Sequence, residues 1–130
     1  MLRSPIAVDE LTTSARRYHS AVEAWLSADG RPAPEAARAL DRLLIDSERQ
    51  LTSAAGLPRR PWFKHLLYAP GVYTGYDVKT VPGVREAIEL KRYDEADQEI
   101  VRAAQAITAQ AALVNRATAT VTEAAARGRR

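Results

Sequence analysis

The side chains that could hold a metal ion or relay a proton are few in this sequence. Zinc needs three or four ligands from histidine, cysteine, aspartate or glutamate. The chain has no cysteine, and its two histidines, His19 and His65, lie far apart without an HExxH motif. We expect His19 at the edge of a helix's apolar face and His65 packed or hydrogen-bonded. The sequence therefore predicts no metal site, no cofactor, no disulfide and no thiol nucleophile.

A second set of titratable side chains is acidic and could supply paired carboxylates. Its members are Glu86, Glu89, Asp94, Glu95, Asp97 and Glu99. A di-metal site in a helix bundle would need Glu-x-x-His pairs, which the sequence lacks. GxSxG, phosphate-loop and glycine-rich nucleotide motifs are also missing. We interpret the acidic cluster as a solvated face near a helix N-terminus, where negative charge is favourable, and predict no catalytic residue.

The residues least typical of a helix lie in the middle of the chain, at positions 56–82. Between Gly56 and Tyr73 there are three prolines, two glycines and four aromatic residues. Proline and glycine exclude a regular helix, and so many rings are unusual in a disordered linker. The pattern predicts a long ordered loop, and long ordered loops are often functional. The expected anchors are Trp62, Phe63, His65 and Tyr68. The run Leu66-Leu67-Tyr68 resembles a short strand, although the sequence offers no obvious partner strand.

Apolar residues at three-to-four spacing on either side of the loop predict an all-α, four-helix bundle-like domain. The expected helices cover positions 8–28, 34–55, 83–91 and 94–126. Gly30 and Gly56 follow the first two, as is usual at helix ends, and Asp94 is a plausible N-cap of the fourth. The short connector after the first helix predicts that the first two helices are antiparallel.

The composition predicts one small domain with a thin core. The chain has 130 residues, of which 46% are hydrophobic and only 6% aromatic, and much of the apolar content is alanine. Small domains of this kind often complete their burial against a partner. The alanine-rich fourth helix is expected either at the centre of the bundle or against a second subunit. Its candidate residues for a dimer face are Ile100, Ala104, Ile107, Ala111 and Val114.

Charge and hydropathy argue against nucleic-acid and membrane partners. The net charge of +3 is small, and the arginines are scattered rather than arranged in a stripe beside aromatic rings. No apolar segment approaches the ~20 residues of a membrane helix, and the N-terminal residues lack the apolar run of a signal peptide. We therefore expect the chain as given to be cytoplasmic, whatever the location of a longer parent protein.

The middle loop resembles a known family. The residues that carry the resemblance are Gly56-Leu57-Pro58, Arg60-Pro61-Trp62-Phe63-Lys64-His65, Tyr68-Ala69-Pro70, Tyr76 and Pro82-Gly83. This pattern is similar to the transferrin receptor-like dimerisation domain, the C-terminal helical domain of glutamate carboxypeptidase II-like zinc peptidases and of the transferrin receptor. The resemblance covers nearly the whole chain. It implies a helical domain that pairs with its own copy and with a peptidase body, while the zinc ligands belong to a separate catalytic domain.

The resemblance also implies a role for one residue of the loop. In the peptidases, a Lys-Tyr pair lines the pocket for the terminal glutamate of the substrate. Tyr76 matches the tyrosine, but Gly75 stands in place of the lysine, so a purely structural ring remains the alternative. Two functions follow as hypotheses: a non-catalytic homodimerisation module, or an accessory domain that completes the pocket of a zinc peptidase in cis or in trans.

Overall fold

A computed structural model describes residues 3–27, 33–73 and 75–128. Within these ranges the chain forms four helices and one two-stranded sheet, so the predicted all-α class is confirmed. The helices are α1 (Arg3–Ser27), α2 (Pro34–Gln50), α3 (Pro82–Glu89) and α4 (Tyr93–Gly128), and the strands are β1 (Tyr68–Pro70) and β2 (Val78–Thr80).

The long helix α4 is the centre of the fold, because α1, α2 and α3 all pack against it. Its buried positions are mostly small, and they include Ala103, Ala104, Ala106, Ala111, Ala117 and Ala125. Side chains of this size let the axes of neighbouring helices approach closely. Leu113 and Val121 are its largest fully buried side chains, so the core is thin, as the composition predicts.

Two apolar clusters hold the helices and the loop to α4. One lies between α1 and the C-terminal part of α4, where Trp25 packs with Val121 and Ala125. The other joins the loop to the middle of α4; its members are Leu57, Leu66, Ala69 and Ala106, with Phe63 packed against them. The second cluster explains why the loop is ordered, since buried apolar side chains offset the entropy lost when the backbone is fixed.

Helix α2 ends at Gln50, five residues before the predicted end at Ala55. The backbone leaves the helix because it pairs with the loop instead. The Ser53 amide donates to the Lys64 carbonyl at 2.9 Å, and Thr52 forms an antiparallel bridge with His65. The apolar spacing does not predict this early end of α2, because hydrogen bonds to a segment that is distant in the sequence leave no pattern among the neighbouring residues.

The strand expected at Leu66-Leu67-Tyr68 lies two residues later in the structure, as β1, and it has a partner. β1 pairs with β2 in an antiparallel hairpin, with Ala69 opposite Lys79. Each strand has only three residues, which is too short for an alternating apolar pattern to be visible.

The remaining helix boundaries differ from prediction by a few residues. α1 begins at Arg3 rather than near Val8, and its predicted end at Ala28 lies outside the described residues. α3 ends before Lys91, whose φ of 58° is left-handed. α4 begins at Tyr93, so Asp94 lies in its first turn and not at the predicted N-cap.

Candidate interaction site

The first half of the loop, residues 51–66, folds back on itself. The Ser53–Lys64 hydrogen bond draws its two arms together. The turn between them requires Gly56, which has a φ of +70° and packs so tightly that a Cβ would overlap the Pro61 carbonyl. Glycine adopts this conformation without steric cost, whereas any other residue would strain the turn.

Arg102 of α4 holds this segment against the helices. Its guanidinium donates to the Glu99 carboxylate at 2.6 Å, to the Ser53 hydroxyl at 3.0 Å and to the Gly56 carbonyl at 2.8 Å. The Glu99 carboxylate lies against the backbone of Gly83, in the first turn of α3. A negative charge there is favourable because the first amides of a helix carry partial positive charge.

A second arginine, Arg60, lies beneath the hairpin and is almost fully buried. One of its terminal nitrogens donates to both carboxylate oxygens of Glu86, at 2.7 and 2.8 Å. The other donates to the carbonyl of Pro70, and the guanidinium lies over the ring of Phe63 at 5.2 Å. Glu86, only 3% exposed, also accepts a hydrogen bond from the Val72 amide at 3.2 Å. This buried pair therefore holds the backbone where β1 ends.

The hairpin loop, defined as residues 71–73 and 75–77, connects β1 to β2. The Gly71 amide donates to the Asp77 carbonyl at 3.1 Å, which closes the base of the loop. Tyr76 is completely exposed. The other exposed apolar or aromatic side chains of the loop and of the start of β2 are Val72, Tyr73 and Val78.

His65 and Tyr68 form a small cluster with Glu48 of α2. Nδ1 of His65 accepts from the backbone amides of Leu67 and Tyr68, at 3.2 and 3.3 Å, so a neutral His65 carries its proton on Nε2. That nitrogen is 3.3 Å from the Glu48 carboxylate. The rings of His65 and Tyr68 stack with centroids 3.8 Å apart. The Tyr68 hydroxyl donates to Glu48 at 2.6 Å, and this hydrogen bond raises the pKa of Tyr68.

The predicted loop anchors occupy different environments. Phe63 is half-buried and packs against the core cluster of the loop. His65 is half-buried, whereas Tyr68 is exposed on one side and held by its stacking and its hydrogen bond. Trp62 is 68% exposed, so it does not anchor the loop by packing beneath it. Phe63 occupies that position, and Trp62 contacts it from outside with centroids 6.2 Å apart.

The five candidate dimer-face residues of α4 fall into two groups. Ala104 and Ala111 are buried within this chain. The half-buried positions, which keep some exposed area, are Ile100, Ile107 and Val114. Ala104 lies at the bottom of an apolar groove of about 470 Å³ between the start of α1 and α4. The residues that line this groove are Ala7, Val101, Ala104, Gln105, Thr108, Ala109 and Ala112.

The titratable residues that the sequence singled out do not converge. His19 is exposed and lies 3.3 Å from Glu23, one helical turn away. In the described ranges, no three histidine or acidic side chains lie close enough to hold a metal ion. Nor does any helix in the described part of the chain have the length and apolarity to cross a membrane.

Two acidic residues were misassigned by the sequence interpretation. Glu86 and Glu99 were expected on a solvated face, but both are buried and paired with arginines. A signal for Glu86 was present, because it lies three residues after Gly83 and four before Leu90, on the inward face of α3. Arg60 carried no comparable signal, because its partner Glu86 is 26 residues away in the sequence. Glu99 and Arg102 are three residues apart on α4, a spacing at which side chains of one helix can pair.

Comparison with known proteins agrees with this architecture. Residues 5–115 match the model of the transferrin receptor-like dimerisation domain. The chain is 37% identical over 83 residues to the probable glutamate carboxypeptidase LAMP1 of Arabidopsis thaliana, covering 64% of this chain and 11% of that protein. It is 38% identical over 76 residues to a probable glutamate carboxypeptidase of Arthroderma benhamiae, covering 58% of this chain and 10% of that protein.

The chain thus spans about a tenth of the length of these relatives. The family match extends from α1 through most of α4, and it includes the whole loop and the pairs Arg60–Glu86 and Glu99–Arg102. The chain therefore belongs to the transferrin receptor-like dimerisation domain family.

Proposed function

We propose that this chain is a non-catalytic interaction module that self-associates as a homodimer. The observation that carries the proposal is the incomplete burial of α2. That helix has no buried residue, and it leaves Leu44 and Ile45 open to solvent, with Ile45 63% exposed. An amphipathic helix that buries so little within its own chain gains stability when a second surface covers it. The two-fold arrangement is the commonest way for identical chains to do this.

The half-buried dimer-face candidates of α4 remain part of this proposal. Ile100, Ile107 and Val114 would contribute the area that this chain leaves exposed. Ala104 and Ala111 would contribute indirectly, because their small side chains let the helices pack closely.

Light scattering coupled to size-exclusion chromatography tests self-association. We expect a dimer at micromolar concentration and its dissociation in Ile45→Glu, because a carboxylate buried in an apolar contact is costly. Ala39→Glu is the matched control: it adds the same charge to the same helix, about 120° around the axis from Ile45. A wild-type chain that stays monomeric at high micromolar concentration would contradict the proposal, as would equal effects of the two variants.

A second candidate function uses the hairpin loop. The complete exposure of Tyr76, beside the exposed ring of Tyr73, favours a contact between this loop and another protein. The relatives are named as glutamate carboxypeptidases, so the partner we propose is a zinc peptidase domain in cis or in trans. Tyr76 would then contribute its hydroxyl to the pocket for an acidic substrate.

This function is tested in the full-length peptidase or complex that carries the domain. Tyr76→Phe removes one hydroxyl and should raise the KM for acidic peptides, with Tyr73→Phe as the control from the same loop. An unchanged KM in Tyr76→Phe would remove the pocket role and leave the self-association proposal untouched.

A further inference from the structure

The described residues of the hairpin loop are held through their backbone groups. Apart from Gly71, each of them is exposed, so none of the side chains described in the loop is buried in the core. Loops without buried side chains normally sample many conformations. The loop is therefore fixed by hydrogen bonds of its own backbone, such as Gly71–Asp77 and Gly75–Gly71, and by the residues beneath it.

We infer that Arg60 and Glu86 are positioning residues that set the direction in which the hairpin loop presents Tyr73 and Tyr76. The orientation of these two tyrosines matters for function through the proposed contact of the loop with a partner, on which this part of the inference rests. The position of the loop itself does not depend on the partner, and it can be measured separately.

Three consecutive residues at the entry of the loop are held by hydrogen bonds. The Pro70 carbonyl accepts from Arg60, and the Val72 amide donates to Glu86. Between them, the Gly71 amide donates to the Asp77 carbonyl at the far end of the loop. The Arg60–Glu86 pair thus fixes the backbone on both sides of Gly71. The Gly71–Asp77 hydrogen bond then fixes the other end of the loop relative to this point.

Stability alone is a weak explanation for a pair this deeply buried. Removing two charges from water costs free energy that their attraction often only balances, and apolar residues of similar size can replace such pairs without loss. Apolar residues would not, however, bind the backbone groups of Pro70 and Val72. The fork geometry of arginine lets one side chain bond Glu86 with one nitrogen and Pro70 with the other.

The pair Arg102–Glu99 offers a matched comparison within the same chain. It also joins a buried carboxylate to an arginine that bonds a backbone carbonyl. Its backbone partner is Gly56, in the first half of the loop, so its removal should loosen a different segment.

The test is amide hydrogen exchange on the double variant Arg60→Met/Glu86→Leu, which replaces the pair with apolar side chains. Exchange at the Val72 amide should rise at least about tenfold, as expected for loss of a hydrogen bond to a charged group. Exchange at the α4 amides should stay close to the wild-type rate. In the control Arg102→Met/Glu99→Leu, exchange should rise at Ser53, whereas the Val72 amide should stay protected.

Arg60→Lys provides an independent test if the double variant does not fold. Lysine keeps the charge but has a single nitrogen, so it cannot bond Glu86 and Pro70 in the same way. We expect faster amide hydrogen exchange that is confined to the residues around Gly71. Chymotrypsin should also cleave faster after Tyr73 and Tyr76, with little change in Tm. Unchanged Val72 exchange in a folded variant would overturn the inference, as would a uniform rise over the whole chain.

The same samples separate this inference from the proposed dimer. Light scattering reports self-association, whereas exchange at Val72 reports only the position of the loop. A chain that proves monomeric but releases its loop in Arg60→Lys would refute the dimer and retain the positioning role.

Discussion

The helical part of this molecule and its loop are held together by different kinds of contact. α1 packs along α4 through apolar side chains that include Trp25, and the buried positions of α4 are chiefly alanines. The loop between α2 and α3 is instead fastened at defined points by the side chains of Arg60 and Arg102, which bond backbone carbonyls. The helices are held chiefly by apolar contacts, whereas the loop adds directed hydrogen bonds to a small apolar cluster around Leu57 and Leu66.

The helices and the loop should respond differently to substitutions. Apolar contacts are non-directional, so the helices can adjust when a side chain changes size, at a cost in stability. A hydrogen bond weakens steeply when its geometry changes, so the loop keeps its shape only while its partners stay in place. Substitutions among the helices should therefore change the free energy of unfolding, while substitutions beneath the loop should change local order.

The largest expected effect comes from Leu113→Ala in α4. Leu113 is 1% exposed, and its truncation leaves a cavity that should lower the free energy of unfolding by about 2–5 kcal/mol. Urea denaturation followed by circular dichroism measures this loss. Val101→Ala, on the exposed side of the same helix, should cost less than about 1 kcal/mol. Similar losses for the two variants would mean that the interior of the helical part is not closely packed.

A smaller and opposite effect is expected where α3 ends. Lys91 has a left-handed backbone, its amide donates to the Ile88 carbonyl, and the next amide, from Arg92, donates to Ala87. This is the Schellman arrangement, in which the left-handed residue is usually glycine. Lys91→Gly should raise the free energy of unfolding by about 0.5–1 kcal/mol, because it relieves that strain.

The control for Lys91→Gly is Lys91→Ala, which removes the same charged side chain but keeps a Cβ. Thermal unfolding of both variants should show a higher Tm for glycine and no gain for alanine. A gain shared by both would assign the effect to the lost charge and not to the backbone conformation.

Sequence reasoning succeeded where the fold depends on periodic patterns. The four helices follow the apolar spacing, and Gly56 was correctly placed at a break, although the helix before it ends five residues sooner. The hairpin was missed because three-residue strands have no readable period. Glu86 was placed on a solvated face although its spacing puts it on the inward face of α3, because its partner Arg60 is 26 residues away and no local rule identifies that pairing.

The smallest expected effect concerns Tyr68, at the edge between the two regions. Its hydrogen bond to Glu48, together with partial burial and the carboxylate charge, raises the pKa of the phenol above its ordinary value of 10.0. Because the folded pKa lies above the unfolded one, the stabilisation is fully present below pH 10 and is lost as the pH rises through the folded pKa.

Glu48→Gln tests the origin of that shift, since glutamine keeps the shape of the side chain and removes its charge. The pKa of Tyr68 should fall toward the ordinary value, as followed by tyrosinate absorbance, with Tyr68→Phe identifying its contribution among the five tyrosines. An unchanged titration would mean that α2 does not hold Tyr68 in solution. The stacked pair of His65 and Tyr68 would then belong to the loop alone, and the contact between α2 and the loop would rest on the backbone bonds of residues 51–53.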